Sequence, residues 1–208
     1  MKIGLVGIGA IAVKQHVPAI AANPDVTLAA AASRNARVDG APNFPDLAAM
    51  LEGASDIEAV VLCVPPGPRF AMARAAIAAG RHVFLEKPPG LTVAEVEILR
   101  ADAARAGVTL LASWHSRYAP GVETFAERLR ATRLDRVTVS WREDVRVWHP
   151  GQTWIWQPGG FGVFDPGINA LSILTEIVPG HIMVQKSTLE FPENKKQPIA
   201  ASIAMRTV

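Results

Sequence analysis

Cysteine is almost missing from this 208-residue chain, with Cys63 the single example. That excludes an internal disulfide framework and suits a reducing compartment, the cytoplasm by default. Long hydrophobic runs are missing too. Although 50% of the residues are hydrophobic, no uninterrupted apolar stretch reaches the roughly 18 residues that a bilayer-spanning helix needs. Neither sign of charge prevails: 21 basic and 19 acidic residues are interleaved and leave a net charge of +2, so there is no electrostatic footprint for nucleic acid. No cluster with metal-ligand spacing is visible. What remains is a chain long enough for one large or two small domains with adequate cores. Its expected partner is a small molecule, with no membrane and no nucleic acid.

Five short apolar runs, mostly β-branched, punctuate the first half: 2–6 (KIGLV), 26–32 (VTLAAAA), 59–64 (AVVLCV), 82–85 (HVFL) and 108–112 (VTLLA). Helical patterns lie between them, which predicts a parallel sheet covered on both faces. In TVAEVEILRADAARAG, Thr92 reads as N-cap, Glu95 as its capping-box partner and Gly107 as terminator. PRFAMARAAIAAG reads similarly, with Pro68 near its start and Gly80 at its end. The fold class expected over 1–113 is therefore α/β, a doubly wound Rossmann domain. The texture then changes. All five tryptophans, Trp114, Trp141, Trp148, Trp154 and Trp156, fall after residue 113, and 136–148 (RVTVSWREDVRVW) alternates as a half-exposed strand does. A second, α+β domain is expected over 114–208. The chain ends in ASIAMRTV, which reads as mid-strand, so this domain is expected to be truncated.

The N-terminus, MKIGLVGIGAIAVKQH, could be a secretory signal peptide, but its spacing favours another reading. Gly7, Gly9 and Ala12 form G-x-G-x-x-A directly after the first strand, with Ala10 and Ile11 at the helix start. In such a motif the first glycine permits a tight turn, the second admits a pyrophosphate, and the small third residue packs helix on strand. Where the second strand ends, an acidic residue would bind the ribose 2′-hydroxyl of NAD; here Ser33 and Arg34 follow Ala32. An arginine suits a 2′-phosphate, which makes NADP the preferred cofactor, with NAD the alternative. Pro65 and Pro66 in VPPGPRF follow a strand on the ligand side of the sheet and are read as a wall beside the dinucleotide. FLEKPPG also lies at a strand's carboxyl end, where Glu86 can fix the turn, Lys87 can reach a cleft and Lys87-Pro88 can be cis; Glu86 and Lys87 are both read as cofactor contacts too.

Together G-x-G-x-I-A, EKP near residue 86 and GGFGVFDPGIN at 159–169 resemble the glucose-fructose oxidoreductase, inositol dehydrogenase and rhizopine-catabolism (Gfo/Idh/MocA) family. The resemblance implies a dinucleotide-binding domain joined to an α+β open-sheet domain, acting on sugars or cyclitols. WHSRYAP, WREDVRVWHPGQTWIWQPGG and GVFDPGINALSI further resemble the branch that oxidises L-arabinose or D-galactose at C1 to the lactone. The family's Asp-x-Gly-x-His appears here as Asp165, Gly167 and Asn169, with Asn where His is common. The i, i+4 spacing places Asp165 and Asn169 on one face of a helix beginning near Pro166.

This resemblance implies catalytic roles for Lys87 and Asp165, with Asp165 taking the proton and Lys87 supplying the charge, or the reverse. It implies substrate contacts from Asn169, Glu143, His149, His115 and Trp148. From its place after the first fingerprint, His16 is read at the cofactor entrance, with His82 and His181 structural; Trp154 and Trp156 stack on sugar or anchor the core. A homo-oligomer is possible within such a family. A cyclitol or biliverdin-like substrate, or a non-catalytic dinucleotide-binding sugar sensor, are the competing implications.

Overall fold

The computed structural model describes residues 1–208, whose contacts divide them into two compact units, Met1–Ser113 and Trp114–Val208. In the first, β1 (Lys2–Val6) leads into a helical segment with a wide, π-type turn over Ala12–His16 and then α1 (Val17–Ala22). There follow β2 (Thr27–Ala32), β3 (Asn43–Phe44), α2 (Leu47–Gly53), β4 (Ala59–Leu62), α3 (Pro66–Ala78), β5 (His82–Leu85), α4 (Val93–Ala106) and β6 (Leu110–Ala112). The six strands form one parallel sheet in the order β3-β2-β1-β4-β5-β6. Strand order reverses at β1, whose neighbours are β2 and β4. The connections on the two sides of that point leave toward opposite faces, opening a crevice at the strands' carboxyl ends.

Two cores flank the sheet. Along β4, Val60 and Leu62 enter the cluster with Met50, Ile57, Leu85 and Leu99, while Val61 points the other way, to Leu5 and Ile20. That period-2 division is why the strand carries no polar residue. Each fully buried leucine contributes about 1.5–3 kcal/mol. The caps of α4 form where the sequence places them, since Thr92 Oγ1 accepts from the Glu95 N–H at 3.2 Å and Gly107 closes the helix at φ +67. The capping box closes one residue early, with the Glu95 carboxylate accepting from the Leu91 N–H at 2.7 Å. Within VPPGPRF, Pro65 is the N-cap and Pro66 the first residue of α3. A missing N–H costs nothing at that position, which has no intrahelical acceptor to serve.

The second unit opens with a single 3₁₀ turn at His115–Tyr118, then α5 (Val122–Arg130), α6 (Val145–Trp148), a 3₁₀ turn at Trp154–Trp156, α7 (Phe164–Ile177), β7 (Ile182–Glu190) and β8 (Ala200–Thr207). The two strands pair antiparallel, Ile182 opposite Thr207 and Glu190 opposite Ala200. Val122 and Ala126 of α5 pack on Ile177 and Val178 to make the core. The alternating strand expected over 136–148 does not form. A strand exists through its ladder, and β7 and β8 pair with each other, so Val137, Val139 and Trp141 stay exposed. Asp144 turns the rest into a short helix by accepting from the Arg146 N–H at 2.9 Å. The Arg146 hydrogen bonds hold its carboxyl down at about 2. No helix is long and apolar enough to cross a membrane.

Candidate active site

Gly7 and Gly9 do different things at the end of β1. Gly7 sits at φ +87, and a Cβ there would meet Val64 Cγ1 at 2.8 Å and Val64 N at 2.9 Å, so no side chain fits. Its N–H donates to the Ala32 carbonyl at 2.9 Å, joining the ends of β1 and β2. Gly9 has open space where a side chain would stand, with no atom within 4 Å. Ala12 is fully buried on the core beneath, while Ala10 and Ile11 are exposed at the start of the helical segment. First-turn N–H groups thus border an open surface, which suits a pyrophosphate. At the end of β2, Ser33 is half-buried and Arg34 exposed, and 33–37 (SRNAR) holds two arginines and no carboxylate. The residues present fit an anionic dinucleotide.

Lys87 follows β5, half-buried, and its bond to Pro88 is cis. Beside it, Glu86 is 8% exposed and its carboxylate is engaged on both oxygens. Oε1 meets His16 Nε2 at 2.7 Å; Oε2 accepts from the Lys87 N–H and from the Ser113 hydroxyl, each at 3.1 Å. His16 also stands edge-on to Phe84, with ring centroids 5.6 Å apart. Burial alone would raise the Glu86 carboxyl, but the hydrogen bond and charge of His16, with Ser113 and the Lys87 N–H, outweigh it and hold the group below 4.5. Cys63 nearby is inert: burial, then the Glu86 charge, push its thiol up to about 12.

The sign of the Glu86 shift gives a stability prediction. With its folded value below the ordinary 4.5, the unfolded chain binds this proton first. The stabilisation is complete above that value and is lost as pH falls through the folded one. Glu86→Gln should therefore unfold more easily at neutral pH, by about 1–3 kcal/mol, and show a shallower acid slope in urea unfolding between pH 7 and 3. An unchanged slope would assign the acid sensitivity to other carboxylates.

In the second unit, Asp165 lies in the first turn of α7, which begins at Phe164, two residues before the expected Pro166. A proline is accommodated in a first turn because its N–H would have no partner there. Asp165 is 5% exposed, and its Oδ2 is 2.9 Å from His149 Nε2. His149 Nδ1 faces Gln152 Oε1 at 3.1 Å, and that same oxygen accepts from the Trp154 indole N–H at 2.8 Å. The indole can only donate, so it fixes the Gln152 oxygen as an acceptor, and His149 Nδ1 must carry its hydrogen. Its Nε2 stands within hydrogen-bond distance of the Asp165 carboxylate, an arrangement through which a proton can pass.

A groove of about 1090 Å³ in this unit gathers Glu143, Trp148, His149 and Trp156 among its walls. Trp148 is 63% exposed, and exposed Glu143 accepts from the Trp141 indole at 2.7 Å. Asn169 stands one turn beyond Asp165 on α7, half-buried; His115 is exposed on its 3₁₀ turn, 3.3 Å from the Ser116 hydroxyl. His82 takes the Thr109 N–H on its Nδ1 at 2.9 Å. Sequence reasoning passed over Gln152 and Ser113, and also Arg69, which is 3% exposed on α3. Only the closeness of Gln152 to His149 and Trp154 along the chain hinted at its role.

A glycine turn at the carboxyl ends of a parallel sheet fits a dinucleotide-binding domain. Residues 1–113 match the Gfo/Idh/MocA model, an oxidoreductase family with an NAD-binding Rossmann fold, and the chain belongs to that family. It is similar to the galactose 1-dehydrogenase of Pseudomonas fluorescens, 45% identical over 206 residues, 99% of this chain and 66% of that protein. The crystal structure of D-galactose-1-dehydrogenase from Rhizobium etli is 51% identical and superposes with a TM-score of 0.94, covering 99% of this chain and 67% of that one. D-xylose 1-dehydrogenase (NADP(+)) 2 of Haloferax volcanii is 31% identical over 143 residues, 66% of this chain and 44% of that protein. The chain thus spans about two thirds of the length of the galactose enzyme it matches.

Proposed function

We propose that the protein is an aldose 1-dehydrogenase, oxidising the anomeric hydroxyl of D-galactose or L-arabinose to the lactone, with NADP preferred over NAD. The observation that carries this reading is the 45% and 51% identity to two galactose dehydrogenases through 99% of the chain, both units included.

The dinucleotide, when bound, supplies the nicotinamide C4 that accepts hydride from sugar C1. Gly7, Gly9, Ala10 and Ile11 would cradle its pyrophosphate over buried Ala12, and Ser33 and Arg34 the adenosine end, where a guanidinium matches a 2′-phosphate in charge and shape. Pro65 and Pro66 would border the nicotinamide half. As the C1 carbonyl forms, the hydroxyl proton must leave; Asp165 takes it, backed by His149. Lys87 holds the hydroxyl oxygen and stabilises its developing negative charge. Asn169, Glu143, His149 and His115 would hold ring hydroxyls and Trp148 would face the pyranose.

A sugar panel tests this. Purified protein should reduce NADP with galactose or arabinose, releasing lactone, and not with inositol. Because Arg34 replaces the usual ribose-binding carboxylate, kcat/KM should favour NADP over NAD by roughly tenfold or more, the size of one charge-assisted phosphate contact. Activity on inositol alone would transfer the site to cyclitols, and lactone from no aldose would end the proposal.

A further inference from the structure

Arg69 does a task that neither the family match nor the sugar assignment gives it. It projects from the first turn of α3 and is nearly sealed from solvent, at 3% exposure. One guanidinium nitrogen, Nη1, donates to the carbonyls of Glu86, at 2.6 Å, and of Pro88; the other, Nη2, donates to the Val64 carbonyl. Two of those three carbonyls are the neighbours of Lys87 on either side, and the third lies two residues past the end of the adjacent strand β4.

The sequence of the turn explains why a side chain is needed. Pro88 and Pro89 carry no N–H, so at those two positions the turn has no backbone donor to tie it down. A planar, always-charged fork with donors pointing apart can hold several carbonyls at once, which an ammonium on a flexible stem does less well. The Glu86 carboxylate restrains the same turn from its other side, through the Lys87 N–H. The backbone of Lys87 is therefore held before it, at it and after it.

We infer that Arg69 is a positioning residue for Lys87: it sets the turn that aims the ammonium, and acts on the reaction only through that lysine. The inference rests on the catalytic role proposed for Lys87. A buried arginine with a purely structural task would alter melting temperature without singling out the chemical step.

The experiment is a double-substitution cycle in the whole enzyme with galactose, comparing Arg69→Lys, Lys87→Ala and the pair. Arg69→Lys should lower kcat by ten- to a hundredfold, the effect of misplacing a catalytic group by about an ångström. The dissociation constant of NADPH, read by fluorescence, should stay within about threefold, and the isotope effect with 1-deutero-galactose should rise as hydride transfer becomes limiting. On the Lys87→Ala background the same substitution should cost less than about threefold, since there is no ammonium left to aim. Arg69→Gln, which keeps two N–H donors without a charge, serves the same cycle if the lysine variant does not fold. Full additivity of the two losses, or a wild-type kcat in Arg69→Lys beside a crippled Lys87→Ala, would overturn the role of Arg69 and leave Lys87 in place. Wild-type turnover in Lys87→Ala would instead remove the reading on which it rests.

Discussion

In the proposed oxidation of galactose, Lys87→Ala should lower kcat by about 10³-fold, the loss expected when a preorganised charge is removed from a developing oxyanion. That is about 4 kcal/mol of transition-state stabilisation. NADP binding should barely change, because the pyrophosphate turn is built by β1 and the helical segment after it, whose glycines and Ala12 owe nothing to residue 87. The fold should also survive. Glu86 keeps His16 and Ser113 as partners, and its bond from residue 87 uses the backbone N–H, which alanine retains. Lys87→Arg should not restore the rate, since a planar fork on a longer stem cannot place its charge where a compact ammonium stood. Steady-state kinetics with a fluorescence titration of NADPH separates the two effects. A wild-type kcat would take Lys87 out of the chemistry, and weakened NADPH binding with unchanged kcat would make it a cofactor contact.

How far the sequence alone reaches depends on the range of the signal. β1 and β5 run over the residues that the apolar runs indicate, 2–6 and 82–85, and α4 starts and stops at Thr92 and Gly107. Each of those signals is local: a burial pattern, a hydroxyl cap, a glycine at positive φ. Sequence 136–148 carries an equally clear alternation and is not a strand, because a ladder needs a partner that the pattern cannot supply. The candidate site divides the same way. Lys87, Asp165 and the glycines were legible as motifs, and so was the helix carrying Asp165. What secures Lys87 was not. His16 reaches Glu86 from 70 residues away, and Arg69 reaches the Pro88 carbonyl across 19. In an alanine-rich helix such as α3, an arginine that braces a turn looks the same as one that is solvated. Gln152 and Trp154 form a chain with His149 that only atomic distances reveal.

That chain makes the second large effect specific. Asp165→Asn should lower kcat by roughly 10²–10⁴-fold, the range for loss of a general base, yet leave the melting temperature within a few degrees. The stability half follows from the hydrogen-bond inventory. With Trp154 fixing the Gln152 oxygen as acceptor, His149 Nδ1 keeps its hydrogen in the variant as in the wild type. Its Nε2 can then accept from the N–H₂ group of the substituted amide, presented across the same 2.9 Å. The hydrogen bond between the two side chains is thus kept. The activity half follows from the same arrangement. An amide is not a base, so the variant lacks the carboxylate that takes the hydroxyl proton in the proposed reaction. The two halves are measured apart, by thermal unfolding and by kcat with galactose and NADP. Retained turnover would show that the proton leaves by another group, with Lys87 the first to test. A collapse of stability without a separate loss of kcat per folded molecule would make Asp165 a helix-capping residue and nothing more.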